Sequence, residues 1–104
     1  MSPKKAILIT GCDSGFGYSL ACHLSENHPE IIALPCCYQM DSKGAQSLRS
    51  KTKYVLHLDV MNEESVLSVK EQIKKILNDE NGELWTLVNN AATLVFADAI
   101  WQTR

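Results

Sequence analysis

Residues Thr10 to Gly17 read "TGCDSGFG", three glycines in a G-x-x-x-G-x-G spacing around a cysteine, an aspartate and a serine. They fall between the apolar run "AILI" and "YSLACHLSENH", a stretch with helical character. A glycine-rich bend at such a junction suits one kind of chemistry, the holding of a phosphate. Gly11 can leave a strand through backbone angles closed to other residues. Gly15 and Gly17 present no side chain, so a phosphate group and the neighbouring backbone can come close. The free N–H groups at the start of the helix, reinforced by its dipole, favour an anion. Ser14 supplies a hydroxyl donor or a helix cap. Taken alone, the spacing also fits an ordinary tight turn between a strand and a helix.

The elements that must position this turn follow from periodicity. "KAILI" (5–9) is short, apolar and ended by turn residues, as a buried strand is. A helix is predicted from Ser14 to about Asn27, with Phe16, Leu20 and Leu24 as its apolar stripe, and Pro29 biases His28 out of the helix. "IIALPCC" (31–37) is a second strand, made irregular near its end by Pro35. "SKGAQSLRS" (42–50) is a short helix and "YVLHLDV" (54–60) a third strand. Asn62 caps a long helix whose first turn holds Glu63 and Glu64, where the dipole favours acids. Its buried face is Val66, Val69, Ile73, Ile76 and Leu77, with Glu71 and Lys75 paired on the outside. Gly82 suits the exit from that helix, and "LWTLVNNA" (84–91) is a fourth strand with Trp85 as a packing residue. The order β-α-β-α-β-α-β implies an α/β fold, a Rossmann-type doubly wound parallel sheet in strand order 3-2-1-4 with helices on both faces.

Composition narrows the function classes. The 104 residues suffice for one domain, and a net charge of −2 without a basic face argues against a nucleic-acid partner. No apolar run approaches the roughly 20 residues of a membrane span. The two lysines before a four-residue apolar stretch do not make a signal peptide, so a cytoplasmic, reducing location is expected. Cys12, Cys22, Cys36 and Cys37 show no C-x-x-C or zinc spacing, and Cys36 and Cys37 face opposite sides of a strand. They are expected to be small buried residues. His23, His28 and His57 are scattered, and neither a metal site nor a catalytic base is assigned to them.

Two further motifs lie at the carboxyl ends of strands, the edge where doubly wound folds place ligands. Asp59-Val60 closes the third strand and Asn89-Asn90-Ala91 closes the fourth. Together "TGCDSGFG", "LDV" and "LVNNAA" resemble the N-terminal half of a short-chain dehydrogenase/reductase, whose pattern is T-G-x-x-x-G-x-G, D-[VL] and N-N-A-G in this order and spacing. The resemblance covers residues 5 to 104 and is nearest to the branch of retinol, hydroxysteroid and 3-hydroxybutyrate dehydrogenases. It implies an NAD(P)-dependent oxidoreductase that passes hydride between an alcohol, steroid, retinoid or hydroxy acid and the matching carbonyl, with NAD favoured over NADP. It further implies that Gly11, Ser14, Gly15, Phe16 (through its N–H) and Gly17 form the diphosphate loop and that Cys12 and Asp13 line the adenosine side. Asp59 would accept from the adenine amino group, Val60 would lie along the ring, and Asn89, Ala91 and Ala92 would pass near the nicotinamide ribose. Asn90 would tie neighbouring strands, and Thr10 would brace the turn.

The sequence departs from the family in three places. Ala92 replaces the usual glycine. The second strand ends in Cys36-Cys37-Tyr38, with neither the acid nor the arginine that often meets the adenosine ribose, and Asp41 comes a few residues late. The family's catalytic serine and Y-x-x-x-K lie beyond the fourth strand. Tyr18, Tyr38 and Tyr54 are followed four positions on by Cys22, Ser42 and Leu58, so no catalytic residue is assigned. Residues 1–104 are thus expected to be the N-terminal part of a dinucleotide-binding domain, stopping before the catalytic segment and inactive alone. The alternative is a non-catalytic dinucleotide-binding or interaction module. A fourth strand left at the sheet's edge predicts association into homo-oligomers.

Overall fold

The computed structural model describes residues 2–89. Four parallel strands and three helices alternate: β1 (Lys4–Ile9), α1 (Gly15–Asn27), β2 (Ile32–Cys37), α2 (Lys43–Lys51), β3 (Leu56–His57), α3 (Glu63–Glu80) and β4 (Gly82–Val88). The strand order is β3-β2-β1-β4, the doubly wound order expected from the sequence. Alternate residues of β1 face opposite layers. Ala6 and Leu8 join Leu34, Cys36, Leu56, Val66, Val69 and Ile73 beneath α3. Ile7 and Ile9 join Ala21, Cys22, Leu24, Cys37, Ala45 and Leu48 beneath α1 and α2. Burial on both faces is why the strands are continuous apolar runs.

Cys36 and Cys37 fall in opposite cores, and all four cysteines are buried and free. Burial pushes the Cys12 thiol up to about 12, Cys37 to about 11 and Cys36 well above its usual value. These three are apolar fillers at neutral pH rather than nucleophiles.

Several sequence expectations are corrected. The third strand is two residues long rather than seven. β3 pairs only through Cys36↔Leu56 and Cys37↔His57. The Cys36 carbonyl faces β1, where it accepts from the Cys12 N–H, and the Cys37 carbonyl faces β3, where it accepts from the Leu58 N–H. By alternation Pro35 faces β3, where it has no N–H to give, and the ladder stops short. Upstream, the Tyr54 carbonyl is taken by the Thr52 hydroxyl at 2.8 Å. On α1, Leu24 is buried and Leu20 packs against the core as expected, and Phe16 alone leaves the predicted stripe. Gly17, Ala21, Cys22 and Leu24 are buried, while Phe16 is 64% exposed.

The exit from α3 is Asn81, left-handed at φ 53°, and Gly82 opens β4 instead. Asparagine is among the few residues with a side chain that adopt this conformation readily. Glu71 pairs with Lys74 at 3.5 Å and Lys75 with Asp79 at 3.6 Å, replacing the expected Glu71–Lys75 pair. Trp85 is 53% exposed, with the Lys5 ammonium 4.6 Å from its ring centre. The register of β4 on β1 jumps from Ala6↔Leu84 to Ile7↔Thr86, so Trp85 is the extra residue of a bulge and is turned out of the core. Among the described residues no helix is long and apolar enough to cross a membrane.

Candidate functional site

The carboxyl ends of β1, β2 and β3 converge on the glycine turn. Gly11 and Gly15 both have positive φ, 66° and 64°, the left-handed region that favours glycine over residues with a side chain. Gly17 is required for a different reason. A Cβ there would stand 2.5 Å from the Gly11 carbonyl oxygen and 3.1 Å from that of Thr10, both fixed backbone atoms. A Cβ on Gly15 would meet nothing within 4 Å, so the approach to the helix start is open on that side. The turn is therefore folded tightly onto itself at Gly17 and left clear at Gly15.

The N-termini of the helices differ. Ser42 caps α2 by accepting from the Ala45 N–H, and Asn62 caps α3 by accepting from the Ser65 N–H, each at 3.1 Å. Ser14 stands at the same position on α1 in extended conformation and makes no side-chain capping bond. Its hydroxyl, and the N–H groups of the first turn at Gly15, Phe16 and Gly17, are the groups on which a phosphate would rest.

Beside the turn is a hollow of about 160 Å³ lined by Thr10, Gly11, Tyr38, Leu58, Asp59 and Val60. Asp59 Oδ1 accepts from the Met61 N–H at 3.0 Å, while the Asp59 N–H donates to Ser65 Oγ at 2.9 Å. The Asp59 side chain thus shapes the strand-to-helix turn and borders the hollow at once. Thr10 is fully buried, and its hydroxyl donates to Asn89 Oδ1 at 3.2 Å. That bond ties the end of β1 to the end of β4. A larger hollow of about 380 Å³ between α3 and β4 is lined by Lys70, Ile73, Leu77 and Leu84 and includes none of the motif residues.

The structure brings Gly11, Asp13, Ser14, Gly15, Phe16, Gly17, Asp59, Val60 and Asn89 to one edge of the sheet. Cys12 differs. It is fully buried and its thiol lies 3.3 Å from the Ile9 carbonyl, so its side chain lines no surface. Asn90, Ala91 and Ala92 lie outside the described residues. Asp13 has a further role. Its Oδ1 accepts from the Tyr38 N–H at 2.8 Å, and its Oδ2 accepts from the Gln39 N–H at 2.7 Å and the Ser42 hydroxyl at 3.4 Å.

Two residues that sequence reasoning missed belong to this edge. Tyr38 lines the hollow and is 58% exposed. Gly44, in the first turn of α2, has the Asp13 carbonyl where a Cβ would go. A glycine inside a short helix, where its backbone entropy is a cost, was the available signal for a close approach. Among the described residues no group of histidines, cysteines and carboxylates could hold a metal ion.

Known proteins are similar to this chain in sequence and in fold. The 3beta-hydroxysteroid dehydrogenase dhs-16 of Caenorhabditis elegans is 42% identical over 99 residues, covering 86% of this chain and 24% of that protein. The mitochondrial D-beta-hydroxybutyrate dehydrogenase of Mus musculus is 40% identical over 99 residues, 90% of this chain and 28% of that protein. Retinol dehydrogenase 7 of Mus musculus is 41% identical over 100 residues, 93% of this chain and 30% of that protein. The chain thus spans about a quarter of the length of the relatives it matches. Among solved structures, the NADPH-bound carbonyl reductase from chicken fatty liver superposes with a TM-score of 0.76 at 18% identity, over 99% of this chain and 48% of that one, a likeness of fold. A family model described as short chain dehydrogenase matches residues 5–102, and to that family the chain belongs.

Proposed function

We propose that this chain is the nucleotide-binding part of a nicotinamide-dinucleotide-dependent oxidoreductase, using NAD or NADP. The observation that carries the reading is the glycine turn: two positive-φ glycines, a third packed on carbonyl oxygens, and an uncapped helix start, all beside a hollow at the carboxyl edge of the sheet. The residues present fit the group. Gly11, Ser14, Gly15, Phe16 and Gly17 would receive the diphosphate, and Asp59 and Val60 would border the adenine. Asn89, held by Thr10, would reach toward the nicotinamide side together with Ala91. Bound there, the dinucleotide supplies or accepts the hydride.

The reaction is oxidation of an alcohol, or reduction of the matching carbonyl, on a small molecule such as a steroid, a retinoid or a hydroxy acid. The hydroxysteroid, hydroxybutyrate and retinol dehydrogenases among the relatives support this substrate range. The 104 residues contain no Y-x-x-x-K sequence, so this stretch alone binds without turning over.

Titration calorimetry of the 104-residue chain with NAD⁺, NADH and NADP⁺, run beside a turnover assay on retinol and 3-hydroxybutyrate, tests the reading. Saturable binding of at least one dinucleotide with no turnover is the expected result. Absence of binding by all three overturns it.

A further inference from the structure

We propose that Ser65, on the first turn of α3, is a positioning residue: its hydroxyl holds Asp59 in the direction that lets the carboxylate read the base of the dinucleotide. The proposal rests on the dinucleotide reading above and deepens it. β3 ends at His57. The Leu58 N–H, given to the Cys37 carbonyl at 2.9 Å, is the last backbone bond from this segment to β2 among the described residues. Asp59 follows at once, beyond the ladder and on the border of the hollow. The sheet therefore does not set where its carboxylate stands.

The start of α3 sets it instead. The Asp59 N–H donates to Ser65 Oγ at 2.9 Å, the Asp59 carbonyl accepts from the Asn62 N–H at 3.0 Å, and Asp59 Oδ1 accepts from the Met61 N–H at 3.0 Å. Ser65 is itself seated, because its N–H donates to Asn62 Oδ1 at 3.1 Å. In a capping box the side chain of the third helical residue reaches back to the N–H of the cap. Here the third helical residue is Ser65, and it reaches past the cap to Asp59, while the cap's own N–H goes to the Asp59 carbonyl. The hydroxyl thus serves the end of the strand and not the helix.

Orientation matters because the carboxylate has two tasks. One lone pair takes the Met61 N–H, and the others are acceptors toward the hollow that Asp59 lines. A base with an amino group at its 6-position offers them a donor. A base with a 6-oxo group sets an acceptor against an acceptor, and a site built for the first rejects the second. That rejection depends on angle, since hydrogen bonds weaken steeply when misaligned. Without the Ser65 hydroxyl the Asp59 N–H loses its partner, and the residue is tethered only through its carbonyl and Oδ1. The carboxylate then swings with the turn, and the discrimination falls while the diphosphate seat on α1 is untouched.

The test is calorimetry of the same chain with NAD⁺ against nicotinamide hypoxanthine dinucleotide, which differs from it only in the 6-oxo base. The unmodified chain should bind NAD⁺ roughly tenfold more tightly or better. Ser65→Ala should bring the two affinities toward equality, mainly by weakening NAD⁺, and Ser65→Thr, which keeps the hydroxyl, should retain the preference. If Ser65→Ala weakens both nucleotides in parallel with the ratio unchanged, Ser65 is only a structural tie and the proposal fails. Equal binding of the two by the unmodified chain overturns the proposal and leaves dinucleotide binding standing. Binding of neither overturns both. Should Ser65→Ala fail to fold, hydrogen exchange on the unmodified chain decides: saturation with NAD⁺ should slow exchange of the Asp59 amide more than saturation with the hypoxanthine analogue does. Equal slowing by the two overturns the proposal.

Discussion

Asp13 and Glu80 sit at opposite ends of one parallel sheet, and each joins parts of the chain far apart in sequence. At the carboxyl end, Asp13 is held by two backbone N–H groups and the Ser42 hydroxyl. At the amino end, Glu80 is held entirely by side chains: Lys53 at 2.7 Å, Lys4 at 3.4 Å and the Tyr54 hydroxyl. The difference is physical. A backbone donor carries no charge to screen or titrate and no rotamer freedom to lose. The two lysines are 74% and 55% exposed, and they lose side-chain entropy and are weakened by salt when they pair. Backbone donors therefore fix the shape of the carboxyl edge, where the proposed dinucleotide site lies, and side-chain donors hold the amino end closed.

The comparison is broken most directly at Gly17. Gly17→Ala places a methyl against the carbonyls of Gly11 and Thr10, and neither can give without moving β1. Destabilisation toward the upper end of the roughly 1–3 kcal/mol typical of overpacking is expected, measured by urea unfolding. If the turn seats the diphosphate as proposed, dinucleotide affinity should fall at least about tenfold, because the seat shifts with the helix start. A Gly17→Ala chain with unchanged stability and affinity would show that the carboxyl end is as pliant as the amino end.

Gly15→Ala sharpens the same contrast, since it separates strain from crowding. There is open space around Gly15 but φ is 64°, so the cost is conformational alone, about 1 kcal/mol. Unfolding curves for the two variants should rank Gly17→Ala well below Gly15→Ala. The reverse order would mean that the turn is held by its dihedral angles rather than by packing.

What was legible in the sequence follows the same division between local and distant causes. The apolar runs of β1 and β2, the spacing of Val66, Val69 and Ile73 on α3, and Asn62 as its cap are decided within a few residues, and all are found. The glycine turn was legible because positive φ and close approach leave a mark on residue type. The shortness of β3 was not, because it depends on which neighbour Pro35 faces. Trp85 was misplaced because a bulge moves one residue out of alternation without changing composition. The tie from Asp13 to Tyr38 spans 25 residues and that from Tyr54 to Glu80 spans 26, and no local pattern announces either. Gly82 shows the limit at short range, where Asn81 took the left-handed position one residue earlier.

The smallest expected effect tests the amino end. Its donors hold the Glu80 carboxyl down to about 2 from an ordinary 4.5, with the Lys53 hydrogen bond the largest cause and that of Tyr54 next. A carboxyl depressed in the folded state stabilises it fully above the unfolded value, and the contribution is lost as pH falls through the folded one. Thermal midpoints should therefore decline between about pH 4.5 and pH 2, in a window set by Glu80. Glu80→Gln should flatten that part of the profile and leave dinucleotide binding at neutral pH unchanged. Added salt should shrink the difference between the two chains, since the lysines are exposed. If Glu80→Gln instead lowered nucleotide affinity, the two ends of the sheet would be mechanically coupled through β1. The division of labour between Asp13 and Glu80 would then not hold.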